Sequence, residues 1–131
     1  MFVGHTGLMN TEPVAAWIAS YEQAWRSPGT DALGKIFTDD ATYLQGSYDE
    51  PLIGLPAIAE MWDEERTGPD EAFEMTSEIV AVDGDTAVVR VEVTYGEPDS
   101  EEFRDLWIIR FAEDGRCRSF EEWWSSPEGP A

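Results

Sequence analysis

The last apolar stretch of the chain, Phe120-Glu121-Glu122-Trp123-Trp124, poses a chemical conflict. The two-residue period of a strand sets Phe120, Glu122 and Trp124 on one face against Glu121 and Trp123 on the other. Whichever face turns inward carries a carboxylate among aromatic rings. Desolvation there disfavours the charged form and lifts the carboxyl toward neutrality, the condition a general acid or base needs. A salt bridge to Arg90, Arg104 or Arg110 would account for the same acid without any chemistry.

Other reactive types are sparse. A nucleophilic triad needs a base beside its nucleophile, and the single histidine, His5, sits in a glycine-flanked tail. Cys117 follows a turn and reads as a buried, inert thiol; one cysteine and one histidine supply neither a disulfide nor a zinc site. Asp63-Glu64-Glu65 and the acids from Asp99 to Glu102 lack calcium-loop spacing and read as solvated surface. Gly4 to Gly7 lacks the lysine of a phosphate loop. The expectation is a protein with no metal and no cofactor.

The elements that must position these groups follow from period and punctuation. Val14, Trp17, Ile18, Tyr21 and Trp25 recur at spacings of three and four, predicting an amphipathic helix capped by Thr11 and stopped by Ser27-Pro28-Gly29. Thr30 caps a second, short helix with Leu33, Ile36 and Phe37 on its stripe, ended by Asp39-Asp40. A short strand spans 41–45 and a loop 46–54. A third helix opens at Leu55-Pro56, carries Ile58, Met61 and Trp62, and stops before Thr67-Gly68-Pro69. Four strand-like runs follow at 73–82, 86–95, 103–112 and 116–124, joined by Asp83-Gly84-Asp85, Gly96 to Ser100 and Glu113-Asp114-Gly115, all hairpin chemistry. The class is α+β: three N-terminal helices packed on a strongly curved antiparallel β-sheet. A flexible tail over 1–10, one domain over 11–126 and a C-terminal tail over 127–131 complete the expected layout.

Charge narrows the partners. Eight Lys and Arg stand against 28 Asp and Glu, a formal net charge of −20. That balance argues against nucleic acid and against anionic membranes, since no basic cluster offers a local exception. A 14.7 kDa chain buries about two-thirds of its extended surface on folding, enough for one core. The opening ten residues lack a signal peptide's basic and apolar regions, and no apolar run is of membrane-spanning length, so a soluble, cytoplasmic protein is expected.

In several blocks the chain resembles the NTF2-like superfamily, in its SnoaL-like and ketosteroid-isomerase-like branch. They are Tyr21 to Trp25, the run from Ile36 through Asp39-Asp40-Ala41-Thr42 to Tyr43, Ile53-Gly54 to Trp62, and the Arg110 to Arg116 hairpin ahead of Phe120 to Trp124. The resemblance covers nearly the whole chain from about Thr11. It implies a cone-shaped fold with a pocket between the concave sheet face and the helices, and often a homodimer through the convex face. It also implies that Tyr21 takes the place of the isomerases' hydroxyl donor and that Phe120, Glu122 and Trp124 face the pocket. The isomerases' aspartate base falls on Gln45 and their protonated aspartate on Trp107, so classical ketosteroid isomerisation is not expected.

Two classes of function follow. One is a cofactor-independent isomerase, cyclase or dehydratase with Tyr21 as donor and Glu122 as acid or base. The other is a non-catalytic ligand-binding or protein-interaction module of the same fold. In either, the expected site is an aromatic pocket lined by Trp17, Tyr21, Tyr43, Gln45, Met61, Trp62, Trp107, Glu122 and Trp124. It would take a small, neutral or cationic, largely apolar or weakly polar ligand, because the −20 field opposes anions.

Overall fold

The computed structural model describes residues 3–66, 72–96 and 101–129, with 3–10 by backbone alone. A long helix α1 (Val3–Arg26) leads through a single-turn helix α2 (Leu33–Ile36) into strand β1 (Phe37–Gln45). The two-residue β2 (Leu52–Ile53) and helix α3 (Leu55–Glu65) follow, then β3 (Phe73–Asp83), β4 (Thr86–Tyr95), β5 (Glu101–Phe111) and β6 (Cys117–Ser125). One six-stranded sheet has the order β2-β1-β6-β5-β4-β3.

Three expectations are corrected. The sheet is mixed rather than antiparallel, because the returning β6 lies parallel to β1 while its other neighbour, β5, is antiparallel. The helices are not three N-terminal ones: α2 is four residues long, and α3 comes after β1 and β2. Helix α1 begins at Val3 rather than behind a Thr11 cap. Pro13 lies inside that helix, where its missing N–H breaks one rung of the ladder without ending it. Most of the Gly96 to Ser100 link and the Thr67-Gly68-Pro69 stop lie outside the described residues.

A smaller difference matters for β1. Asp39 and Asp40 do not close a helix; they sit inside the strand, both exposed, where its register against β6 shifts between Phe37 and Thr42. Phe37, Ala41 and Tyr43 all face the core, and the bulge turns Asp39, which shares their parity, to solvent.

The sheet's inner face is read directly from alternation. Ala87, Val89 and Val91 of β4, Asp105, Trp107 and Ile109 of β5, and Phe120 of β6 are all buried. From α1, Val14, Trp17, Ile18, Tyr21 and Ala24 pack onto that face, with Ile58, Met61 and Trp62 of α3. Arg66 locks the helix layer. Its guanidinium donates to the carbonyls of Ala24 (3.3 Å), Ser27 (2.7 Å) and Gly29 (2.7 Å), at and just beyond the end of α1. The cation also lies over the rings of Trp25 and Trp62.

Candidate functional site

Three inner-face strands and one helix meet around Glu122. Cross-strand register places Trp107 opposite Glu122 and Asp105 opposite Trp124, so the Asp105 and Glu122 carboxyls are diagonal neighbours on one face. Each carboxyl influences the protonation of the other. On the parallel side Gln45 pairs with Glu122, and Tyr43 with Phe120. Gly46, just beyond β1, donates its N–H to the Glu122 carbonyl at 3.0 Å and holds φ at 93°. A Cβ there would meet Asp49 at 3.0 Å and the Trp124 indole nitrogen at 3.3 Å, so the chain beside Glu122 needs glycine for both reasons.

A hydrogen-bond chain runs through this meeting point. The hydroxyls of Tyr21 on α1 and Tyr43 on β1 are 3.0 Å apart, and Tyr43 Oη donates to Glu122 Oε1 at 3.5 Å. Trp107 Nε1 donates to Asp105 Oδ2 at 3.4 Å. The other Asp105 oxygen, Oδ1, is buried and receives no hydrogen from any donor of the described chain. The Glu122 carboxyl can supply one only when it carries a proton.

Electrostatics favour that state. Burial, then the neighbouring Asp105 charge, pushes the Glu122 carboxyl well above the usual carboxylate range. Burial also raises Asp105, against the hydrogen bonds it accepts from Glu122 and Trp107. The two behave as one unit, and two adjacent carboxylates in a dry setting resist carrying two charges. Burial, followed by the Glu122 charge, raises both Tyr21 and Tyr43, which keeps these phenols protonated as donors.

The salt-bridge account of the inward acid does not hold. Arg110 pairs with Glu121 on the outer face at 3.3 Å, and Arg90 with Glu78 at 2.6 Å. None of the chain's ion pairs among described residues reaches Glu122 or Asp105.

Most of the sequence-derived pocket residues gather here, in two layers. Tyr21 contacts Trp62 and Trp107 at centroid distances of 5.2 and 4.6 Å, and Tyr43 lies 4.7 Å from Phe120. Trp17 sits deeper; its indole N–H is spent on the Ile36 carbonyl at 2.9 Å, which pins α1 to the start of β1. Met61 and Trp62 are buried with it. Nearer solvent, Glu122, Gln45 and Trp124 are half-buried, and Gln45 Nε2 donates to Glu65 Oε1 of α3 at 3.4 Å. Trp124 leans edge-on against Phe103. Asp105 is the residue that sequence reasoning missed, although its place two residues before Trp107 and four before Ile109 marks an acid on a buried strand face. Cys117 is buried, and burial pushes its thiol up to about 12, so it is inert as expected. Among the described residues no group of His, Cys, Asp and Glu is arranged to hold a metal ion. An open groove of about 630 Å³ lies at the β5–β6 turn, lined by residues such as Asp39, Asp40, Glu113 and Arg116, and shares no side chain with the cluster.

Residues 17–120 match the SnoaL-like domain. The chain belongs to the SnoaL-like family. Its solved structural neighbours agree on the NTF2-like fold. SalBIII, an epoxide hydrolase/cyclase-like enzyme of pyran ring formation in the polyether salinomycin, aligns with a TM-score of 0.72 at 16% identity, over 88% of this chain and 92% of that one. A protein described as a SnoaL-like polyketide cyclase from Jannaschia sp. CCS1 aligns at 0.70 and 19% identity, covering 91% and 87%. An NTF-2 like protein of unknown function from Burkholderia xenovorans LB400 gives 0.70 and 19%, covering 94% and 91%. At such identities the SnoaL-like neighbours share a fold and nothing finer. No characterised protein matches the chain significantly by sequence. No helix among the described residues is long and apolar enough to cross a membrane.

Proposed function

We propose that this SnoaL-like domain performs cofactor-independent acid–base chemistry, of the isomerase, cyclase or dehydratase type, on a small and largely apolar molecule. The observation that carries the reading is the chain from Tyr21 through Tyr43 to Glu122, backed by Asp105. Glu122 is its half-buried member and meets the substrate. In its acid form it gives a proton to a substrate oxygen; in its base form it removes one from carbon. Asp105 stands behind as the carboxylate that keeps the Glu122 proton available near neutral pH. Tyr43 steadies the Glu122 oxygen that does not carry the proton, and Tyr21 orients Tyr43. Half-buried Trp124 and the rings beneath supply the apolar wall. Likeness to SalBIII and to the Jannaschia protein agrees with cyclase-type chemistry without selecting it.

The depth of Trp17, Trp62 and Trp107, each nearly inaccessible, favours a second reading, a non-catalytic binding module whose aromatics are core first. The two part on one experiment. The proton-abstraction probe 5-nitrobenzisoxazole ring-opens when a base takes a single C–H proton. Acid–base function expects turnover that rises with pH and disappears in Glu122→Gln. Turnover equal in wild type and Glu122→Gln leaves only the binding module.

A further inference from the structure

The cluster's charge balance is unusual. All eight Lys and Arg lie among the described residues, and their placement is complete. Arg90 and Arg110 are engaged on the outer face, Arg26 with Glu22 and the Phe73 carbonyl, Arg66 on the carbonyls ending α1, Arg116 with Asp114, and Arg118 with Asp85. Arg104 and Lys35 are exposed; Arg104 shares the outer face, since strand alternation opposes it to Asp105. No lysine or arginine therefore answers the inner carboxyls. Asp105 is 7% exposed, and its Oδ1 has no donor among the described residues other than a protonated Glu122. The groups that face Glu122 from the packed elements are Tyr21 of α1, Tyr43 of β1, Glu65 of α3 and Asp105 of β5, none of them cationic.

We propose that the Asp105–Glu122 pair, with the aromatic rings around it, is a binding site for a protonated organic amine, a monocation carrying apolar substituents. The proposal rests on the acid–base reading for the location of the site and names the substrate class that site takes. A pair sharing one proton carries one negative charge, which a single ammonium neutralises. The ammonium N–H can reach the carboxyls as a charge-assisted donor, and its alkyl or aryl groups lie against the half-buried Trp124 ring, whose face attracts cations. A hard divalent ion would instead need several oxygen ligands at once, and no such grouping exists among the described residues. The −20 field raises the local concentration of any cation at the rim.

Three probes of one ring and similar size test this: dimethylbenzylamine, benzyl alcohol and benzoate, titrated into the purified chain near pH 7 by calorimetry. Wild type is expected to bind the amine at least about tenfold more tightly than the alcohol, and benzoate least. Asp105→Asn and Glu122→Gln, both isosteric, each leave one carboxylate and should keep the amine preference, whereas the double variant should bring the amine-to-alcohol ratio close to one. Glu78→Gln on the outer face should leave the ratio intact, which separates the site from the general field. Circular dichroism checks that each variant is folded. Equal binding of amine and alcohol by wild type, binding of neither at about 10 mM, a ratio that survives the double inner variant, or displacement of the amine by millimolar calcium or magnesium would each overturn the proposal. The acid–base reading fails on another readout, the benzisoxazole turnover, so a charge-blind pocket with Glu122-dependent turnover overturns the amine alone.

Discussion

Replacing Glu122 by Gln should change how stability depends on pH more than it changes stability at any one pH. In the folded chain the Glu122 carboxyl is raised well above its ordinary value by burial and by Asp105, while in the unfolded chain it returns to that value. Between the two, the folded state holds a proton the unfolded state has released. Stability is therefore full below the ordinary Glu range and is lost as pH rises toward the folded value. One proton held differentially gives a slope of at most about −1.4 kcal/mol per pH unit. Asp85 and Asp114 act with the opposite sign, because hydrogen bonds from Arg118 and from the Arg116 backbone hold them below the usual range. Their contribution is present above the ordinary Asp range and is lost only as pH falls below it, so the window from about pH 5 to 8 belongs to the buried pair. The Gln amide can still donate to Asp105 and accept from Tyr43, so packing is kept while the titration goes. Urea unfolding of both proteins across that window at fixed ionic strength measures the difference. A declining wild-type curve and a shallower Glu122→Gln curve, in which buried Asp105 alone still titrates, are expected; two parallel curves would refute the reasoning.

Arg66→Met should destabilise the fold by about 2–3 kcal/mol in urea unfolding, since its guanidinium, 7% exposed, serves three carbonyls at the end of α1. Cys117 should resist a thiol reagent in the folded chain at pH 8 and react fully in denaturant, because it is buried and its thiol is raised to about 12. The outer face pairs Leu106 with Trp123 across β5 and β6, both 39% exposed. A homodimer through this face should show twice the chain mass by light scattering at about 100 µM, strengthen with salt as the −20 charges are screened, and dissociate in Trp123→Glu.

The fold was legible wherever a period was long and clean. The stripe from Val14 to Trp25 and the alternation in β4 named their buried residues correctly, because burial of one face is what produces such patterns. The parallel pairing of β1 with β6 was not legible, since it joins strands at opposite ends of the chain and leaves no mark on either one. Asp39-Asp40 misled because an acidic pair after a short apolar stripe looks like a helix end, whereas here it is a bulge turned to solvent. At the site, alternation restricted the inward acid to Glu121 or Glu122, and Arg110 settles which by holding Glu121 outside. Asp105 was not legible because it lies beside the charged start of its strand, Glu101-Glu102-Phe103-Arg104, where an acid looks like solvated surface until the register sets it on the face of Trp107. The Tyr21–Tyr43 contact needed the helix and the strand to be docked, which no local pattern encodes.

The central claim is that Asp105 and Glu122 hold one proton between them near neutral pH. Carbon-13 NMR of side-chain carboxyls, titrated from about pH 3 to 9 and assigned with Glu122→Gln and Asp105→Asn, observes it directly. The account predicts that the Asp105 and Glu122 resonances move together and finish titrating above the other carboxyls, and that Asp105→Asn lowers Glu122 toward the usual range while burial keeps it above that range. Both signals titrating with the surface carboxylates, complete by about pH 5, would contradict it.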